Sequence, residues 1–136
     1  MSNVFDKSEF TAEGLDELSR VPDGQPFALI NFLLYKERAD YPPGTVTEKL
    51  TGEAAYARYS ELCVPFLNKV GGYPVWRGKF SANLIGPADE RWDEIIIMQY
   101  PSKSAFERMM SDPDYLKVTF HRMAGIKDSR LYGITS

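Results

Sequence analysis

The alternation of apolar and polar positions divides the chain into short elements. Phe27-Ala28-Leu29-Ile30-Asn31-Phe32-Leu33-Leu34-Tyr35 is an apolar run of strand length, with Phe27, Leu29, Leu33 and Tyr35 on one face and Ala28, Ile30, Phe32 and Leu34 on the other. Both faces are therefore predicted to be buried. Residues 92–100 read the same way. Between them lies the best helix, in which Tyr56, Tyr59, Cys63, Phe66 and Val70 recur at three- and four-residue steps. Thr51 is its N-cap, Glu53 suits the positive end of its dipole, and Gly71-Gly72 stops it. Pro65 removes one backbone donor, which predicts a kink near Leu62. Residues 73–85 read as a strand broken near Gly78, followed by a turn at Gly86-Pro87-Ala88-Asp89-Glu90. Pro101-Ser102 opens a helix through Met110, with Ser104 and Glu107 as an alternative capping box. Asp112 as N-cap and Pro113 at the first helical position then launch residues 115–124 as one helix, which Gly125 stops. Residues 128–136 form a last strand. Residues 36–50, containing Tyr41-Pro42-Pro43-Gly44, show no periodicity and are predicted to be a loop. A short leading helix lies within residues 5–20, separated from the rest by the turn cluster Val21 to Pro26.

Strand, helix, strand, strand, broken helix, strand is the split β-α-β order of a ferredoxin-like α+β domain: a four-stranded antiparallel sheet with its helices on one face. Residues 26–136 form that domain and residues 1–25 an N-terminal arm. The other face of the sheet is left open, yet the strands are apolar on both sides. A second copy of the same sheet is the economical cover, giving an isologous homodimer through the sheet faces.

Composition narrows the class further. With 136 residues, 43% apolar, and 16 Lys+Arg against 19 Asp+Glu for a net charge of −3, this is one ordinary domain. No Lys/Arg run points to nucleic acid or to an anionic membrane surface, so neither is expected as a partner. No apolar stretch approaches a membrane span. Met1 to Lys7 lacks the basic and apolar pattern of a secretory signal, and a cytoplasmic location is expected. One His and one Cys, without carboxylates at calcium-loop spacing, predict no metal site. Gly71-Gly72 precedes a strand rather than a helix, so no nucleotide cradle is expected either.

Candidate chemistry rests on a few polar side chains. His121, the only histidine, is followed by Arg122 near a helix end. The pair reads as a general base beside an anion clamp, or as groups that favour the helix dipole. Arg77 and Lys79 alternate with Trp76 and Phe80 on the second strand, on the side expected for Tyr73 and Val75. Arg77 could bind a carboxylate bidentately, or pair with Glu94 or Asp93 across the sheet. Asn31, a carboxamide in the middle of an apolar strand, must find partners, from a ligand or from backbone. Tyr56 and Tyr59 carry hydroxyls into the helix–sheet interface, either as pocket wall or as ordinary core. Asp128 and Arg130 share a face of the last strand and read as an ion pair within the strand or across subunits. Cys63 reads as a buried, inert thiol.

Several motifs resemble a known family. Asn31-Phe32-Leu33, Val70-Gly71-Gly72, Trp92-Asp93-Glu94, Tyr100-Pro101-Ser102, Ala105-Phe106, Asp112-Pro113-Asp114-Tyr115, His121-Arg122 and Asp128-Ser129-Arg130-Leu131 are similar to the family numbered thirteen-thirty among the domains of unknown function. That family sits in the dimeric α/β-barrel superfamily. The resemblance implies a ferredoxin-like protomer paired face to face with its twin, with a small pocket between helices and sheet in each subunit. It implies no particular reaction, since the superfamily holds cofactor-free monooxygenases, isomerases, cyclases and haem enzymes. The expected function is binding or cofactor-free turnover of a small oxygenated metabolite, by proton transfer beside a carbonyl. His121 would be the base, Arg77 and Asn31 would hold oxyanion charge, and Tyr56, Tyr59, Trp76, Glu94 and Arg122 would bind the ligand. No cofactor is expected; haem, the variant found in some relatives, would need His121 as its axial ligand. The alternative is a non-enzymatic ligand-sensing or interaction module.

Overall fold

The computed structural model describes residues 9–136. The start of the expected arm, and with it the reading of Met1 to Lys7, lies outside the described residues.

The apolar run forms β1 (Phe27–Tyr35), and the long periodic segment forms α2 (Gly52–Lys69). Ahead of them α1 (Ala12–Ser19) is capped by Thr11, and behind them come β2 (Tyr73–Lys79) and β3 (Glu94–Tyr100). α3 (Lys103–Ser111), α4 (Pro113–Leu116), α5 (Thr119–Gly125) and β4 (Ile126–Thr135) complete the chain. The strands form one antiparallel sheet in the order β2-β3-β1-β4. This is the expected ferredoxin-like α+β arrangement. No helix among the described residues is long and apolar enough to cross a membrane.

Residues directly opposite in an antiparallel ladder point to the same side, so register assigns the faces. Phe27, Leu29, Asn31 and Leu33 pair with Tyr100, Met98, Ile96 and Glu94 on the helix side. There they join Tyr56, Tyr59, Cys63, Leu67, Phe106, Met109 and Tyr115 in the core. Ala28, Ile30 and Phe32 pair with Gln99, Ile97 and Ile95 on the open side, and all of these are only half-buried.

Local rules placed the helix starts well. Thr51 Oγ1 accepts from Ala54 N at 3.1 Å, Ser102 Oγ from Ala105 N at 3.1 Å, and Asp112 Oδ1 from Asp114 N at 2.9 Å. Ser102 rather than Ser104 caps α3; Ser104 instead binds the Asp23 carboxylate and ties the segment before β1 to α3. α2 runs without interruption through Pro65, whose missing bond frees the carbonyl of the exposed Glu61.

Three expectations need correction. The second strand stops at Lys79 instead of reaching residue 85, because the Asn83 side chain binds the carbonyls of Pro87 and Glu90 and folds the segment into its own loop. The expected 115–124 helix is two pieces: Val118 N bonds Tyr115 O and Thr119 Oγ1 bonds Leu116 O, which closes α4 before α5 begins. Finally, β2 carries a bulge between Pro74 and Trp76. The extra residue reverses the alternation, so Arg77, opposite Ile96, faces the helices, while Tyr73 and Trp76, opposite Gln99 and Ile97, face the open side.

Candidate functional site

A polar layer lies between α2 and the sheet. Its centre is Asn31, buried to 9% exposure in the middle of β1. Asn31 Nδ2 reaches the Tyr56 hydroxyl at a long 3.4 Å, and Oδ1 finds no donor among the described residues. Turning the carboxamide over exchanges which heteroatom is orphaned without removing the orphan. Tyr56 stacks at 5.6 Å on Tyr35 and at 5.3 Å on Tyr59, whose hydroxyl shares a 2.7 Å hydrogen bond with that of Tyr115. Burial pushes the Tyr56 hydroxyl up to about 12 and raises Tyr35, Tyr59 and Tyr115 as well, so all four stay protonated at neutral pH.

Toward the end of the sheet the layer becomes ionic. Arg77 Nε meets Glu94 Oε2 at 2.5 Å, and its Nη2 meets Oε1 at 3.2 Å. A third donor of Arg77, Nη1, reaches Ser60 on α2 at 3.2 Å, and the guanidinium sits 5.8 Å from the centre of the Tyr56 ring. The Tyr35 hydroxyl donates to Glu94 as well. Burial works to raise the Glu94 carboxyl, but the hydrogen bonds from Arg77 and Tyr35 outweigh it and hold the group below its ordinary value. Of the two readings of Arg77, the structure thus shows the cross-sheet pair with Glu94. Beyond Glu94 the site opens into a cleft of about 430 Å³, lined among others by Tyr35, Lys36, Glu53, Lys79, Phe80 and Trp92. Lys79 Nζ and Glu53 Oε2 approach to 4.0 Å across it. A second cleft, of about 320 Å³, lies at the opposite end of the sheet under α1, between Val21, Phe27 and Gly133.

The structure therefore brings Asn31, Tyr56, Tyr59, Arg77 and Glu94 into one network. Arg122 is near enough for its charge to act on Tyr56 and Tyr115. Two expected residues lie elsewhere. Trp76 is 71% exposed on the open side, put there by the bulge, and is not part of the pocket between helices and sheet. His121 is buried on α5, with Nδ1 2.6 Å from the Tyr41 hydroxyl and its ring against Phe120 and Tyr41. Burial and the nearby Arg58 lower its pKa. Its hydrogen bond runs to the 36–50 loop and not to Asn31 or Arg77. This setting does not fit an axial haem ligand: aromatic rings crowd the imidazole at 4.2 and 5.4 Å, and it lines neither cleft. Among the described residues no cluster of His, Cys, Asp and Glu could hold a metal ion.

Tyr35, Ser60, Tyr115 and Tyr41 were not singled out from the sequence. Tyr35 had a usable signal: four residues beyond Asn31 on an alternating strand, it shares that side chain's face. Asp128 and Arg130 pair within β4 at 2.7 Å on the open side, where Arg130 also lies 5.3 Å from the Trp92 ring.

No curated protein is similar enough to lend the chain an activity. Among solved structures, a protein of unknown function from Rhodopseudomonas palustris is 36% identical, with 97% of this chain and 98% of that one covered and a TM-score of 0.85. Two more distant structures share the fold alone. A dabb family protein with a ferredoxin-like fold from Mesorhizobium loti is 10% identical over 82% of this chain and 96% of its own, with a TM-score of 0.51. A nipsnap family protein from Agrobacterium tumefaciens is 19% identical over 83% and 89%, with a TM-score of 0.50. Residues 45–132 match the family described as Domain of unknown function (DUF1330), and with the Rhodopseudomonas relative alike over nearly its full length, the chain belongs to that family.

Proposed function

We propose that the protein is a homodimer paired through its open sheet faces, and that each protomer holds a small, partly apolar, oxygenated metabolite in the polar layer behind the cleft. The chemistry best suited to the site is cofactor-independent, of the isomerase, cyclase or monooxygenase kind. The observation that carries this reading is the orphaned heteroatom of Asn31. A buried carboxamide group without a partner costs about 1–3 kcal/mol, and a group left so in a native fold calls for an explanation, of which a bound molecule is one. A hydroxyl or enol of a bound molecule would satisfy it, with the Tyr56 hydroxyl alongside and the positive charges of Arg77 and Arg122 nearby to favour a developing oxyanion.

His121 enters this reading only as an anchor of the 36–50 loop. Glu94 is committed to Arg77 and Tyr35. With both candidate bases engaged, a ligand-binding module without turnover is the second reading. Either way Asn31 is tested by Asn31→Leu, which removes the carboxamide and, with it, the hydrogen bond it gives the Tyr56 hydroxyl. The variant is expected to keep the circular dichroism of the parent and to lose any metabolite that copurifies with the parent in native mass spectra. A parent that carries no bound mass, or a variant that keeps the same bound mass, would falsify the assignment.

A further inference from the structure

The connection between β2 and β3 presents two aliphatic side chains to solvent: Leu84 is 90% exposed and Ile85 98%. The loop is nonetheless organised. Asn83 Nδ2 holds the carbonyl of Pro87 at 2.8 Å and that of Glu90 at 3.3 Å, and Gly86 takes a φ of 147° that only glycine adopts readily. At its base Phe80 N bonds Asp93 O at 3.1 Å, and the Arg91 guanidinium lies 4.9 Å from the Phe80 ring centre. Such a tip is a preformed body on a short stem that holds two aliphatic side chains in solvent.

The stem is the second observation. Phe80 on one strand of it, and Trp92 and Asp93 on the other, are walls of the 430 Å³ cleft. Any rotation of the loop about Ser81–Ala82 and Arg91 therefore swings Leu84 and Ile85 relative to the cleft mouth. Leu84 lies four positions after Phe80, a reach of up to roughly 13 Å. Lys79, next to Phe80 at the stem, comes within 4.0 Å of Glu53 on α2, so the α2 wall of the cleft lies close to the stem.

We propose that the β2–β3 loop is a flap that closes over the cleft and lays Leu84 and Ile85 on the apolar part of the molecule bound there. The inference rests on the pocket reading above and adds its specificity element: the polar end of the ligand faces the Asn31–Glu94 layer, and the apolar end lies beneath the flap. Closure would exclude water from the polar layer and bury aliphatic surface that the open form leaves wet.

Disulfide trapping tests the motion itself, with no ligand added. Leu84→Cys is combined with Glu53→Cys, at the start of α2 across the mouth, and a control combines Leu84→Cys with Glu17→Cys beside the other cleft. All three substituted positions are exposed, so folding is not at stake, and the native Cys63 is buried. Under diamide the Leu84/Glu53 pair is expected to form an intrachain bridge at least about tenfold faster than the control, as a high effective concentration requires. Intact mass and non-reducing electrophoresis read the product. Absence of an intrachain bridge, an equal rate in the control, or bridging only between chains would each overturn the flap, the last by making the tip a contact between copies. Because the bridge is read whether or not a metabolite is bound, failure here is separate from failure of the Asn31→Leu binding test.

Discussion

Tyr41 and His121 join through a 2.6 Å hydrogen bond between residues 80 positions apart, and the bond fixes a loop by a group that titrates near neutrality. Burial and the Arg58 charge hold the imidazole below its ordinary 6.5; Arg58 itself is paired with Glu48 on the same loop. In the unfolded chain the imidazole recovers that ordinary value and takes up its proton first as the pH falls. The His121 contribution is therefore complete above pH of about 6.5 and is lost progressively below it, down through the lowered folded value. Urea unfolding of the parent should show stability declining from pH 7 to 5.5, and His121→Gln should flatten that part of the profile. Parallel profiles would mean that His121 is not the titrating group. Asn31 makes the contrasting case, because there the missing partner is a matter of geometry at any pH.

At the scale of elements, the close crossing of α2 and α5 sets a limit on substitution. A Cβ added at Gly125 would lie 2.4 Å from the Gly52 carbonyl oxygen, and one at Gly52 would lie 2.2 Å from that of Lys36. The backbones themselves are in contact, with Lys36 N bonding Gly125 O and Gly52 N bonding Lys36 O. Gly125→Ala is expected to destabilise by at least about 2 kcal/mol, the cost of forcing atoms into a filled space, and a urea midpoint shifted by much less would show that the helices can part. The sequence reading took Gly125 only as a helix stop, because a crossing of two backbones leaves no local pattern. Caps are different: Thr51, Asp112 and Pro113 act within three residues of themselves and were legible. The split between α4 and α5, the bulge in β2 and the Asn83 loop were not, since each depends on a side chain or ladder bond that competes with periodicity. In the candidate site the same division holds. Asn31 stood out as the one carboxamide in an apolar run, whereas the partners of Arg77 became definite only once the register did.

For the whole molecule the open sheet face decides the most. Ile30, Phe32, Ile95 and Ile97 are half-covered there, while Tyr132 at 55% and Ile134 at 48% exposure border them on β4. A contiguous apolar face of this kind calls for a cover, and a lysine in its middle would have to be desolvated twice in a symmetric pair. Ile97→Lys is accordingly expected to turn a dimeric parent into a monomer in sedimentation velocity while leaving the helix-side core and its circular dichroism unchanged. A parent that sediments as a monomer would remove the face-to-face pairing altogether. The bulge between Pro74 and Trp76 then takes on a wider meaning. It works as a phase shift in a two-letter code: before it the odd positions of β2 face outward, after it they face inward. One edge strand can thus show aromatic surface to the open side and a guanidinium to the interior. Were Val75 paired in the ladder instead of bulged out of it, Trp76 and Arg77 would exchange sides, so one unpaired residue decides which face of the strand carries the aromatic surface and which the site chemistry.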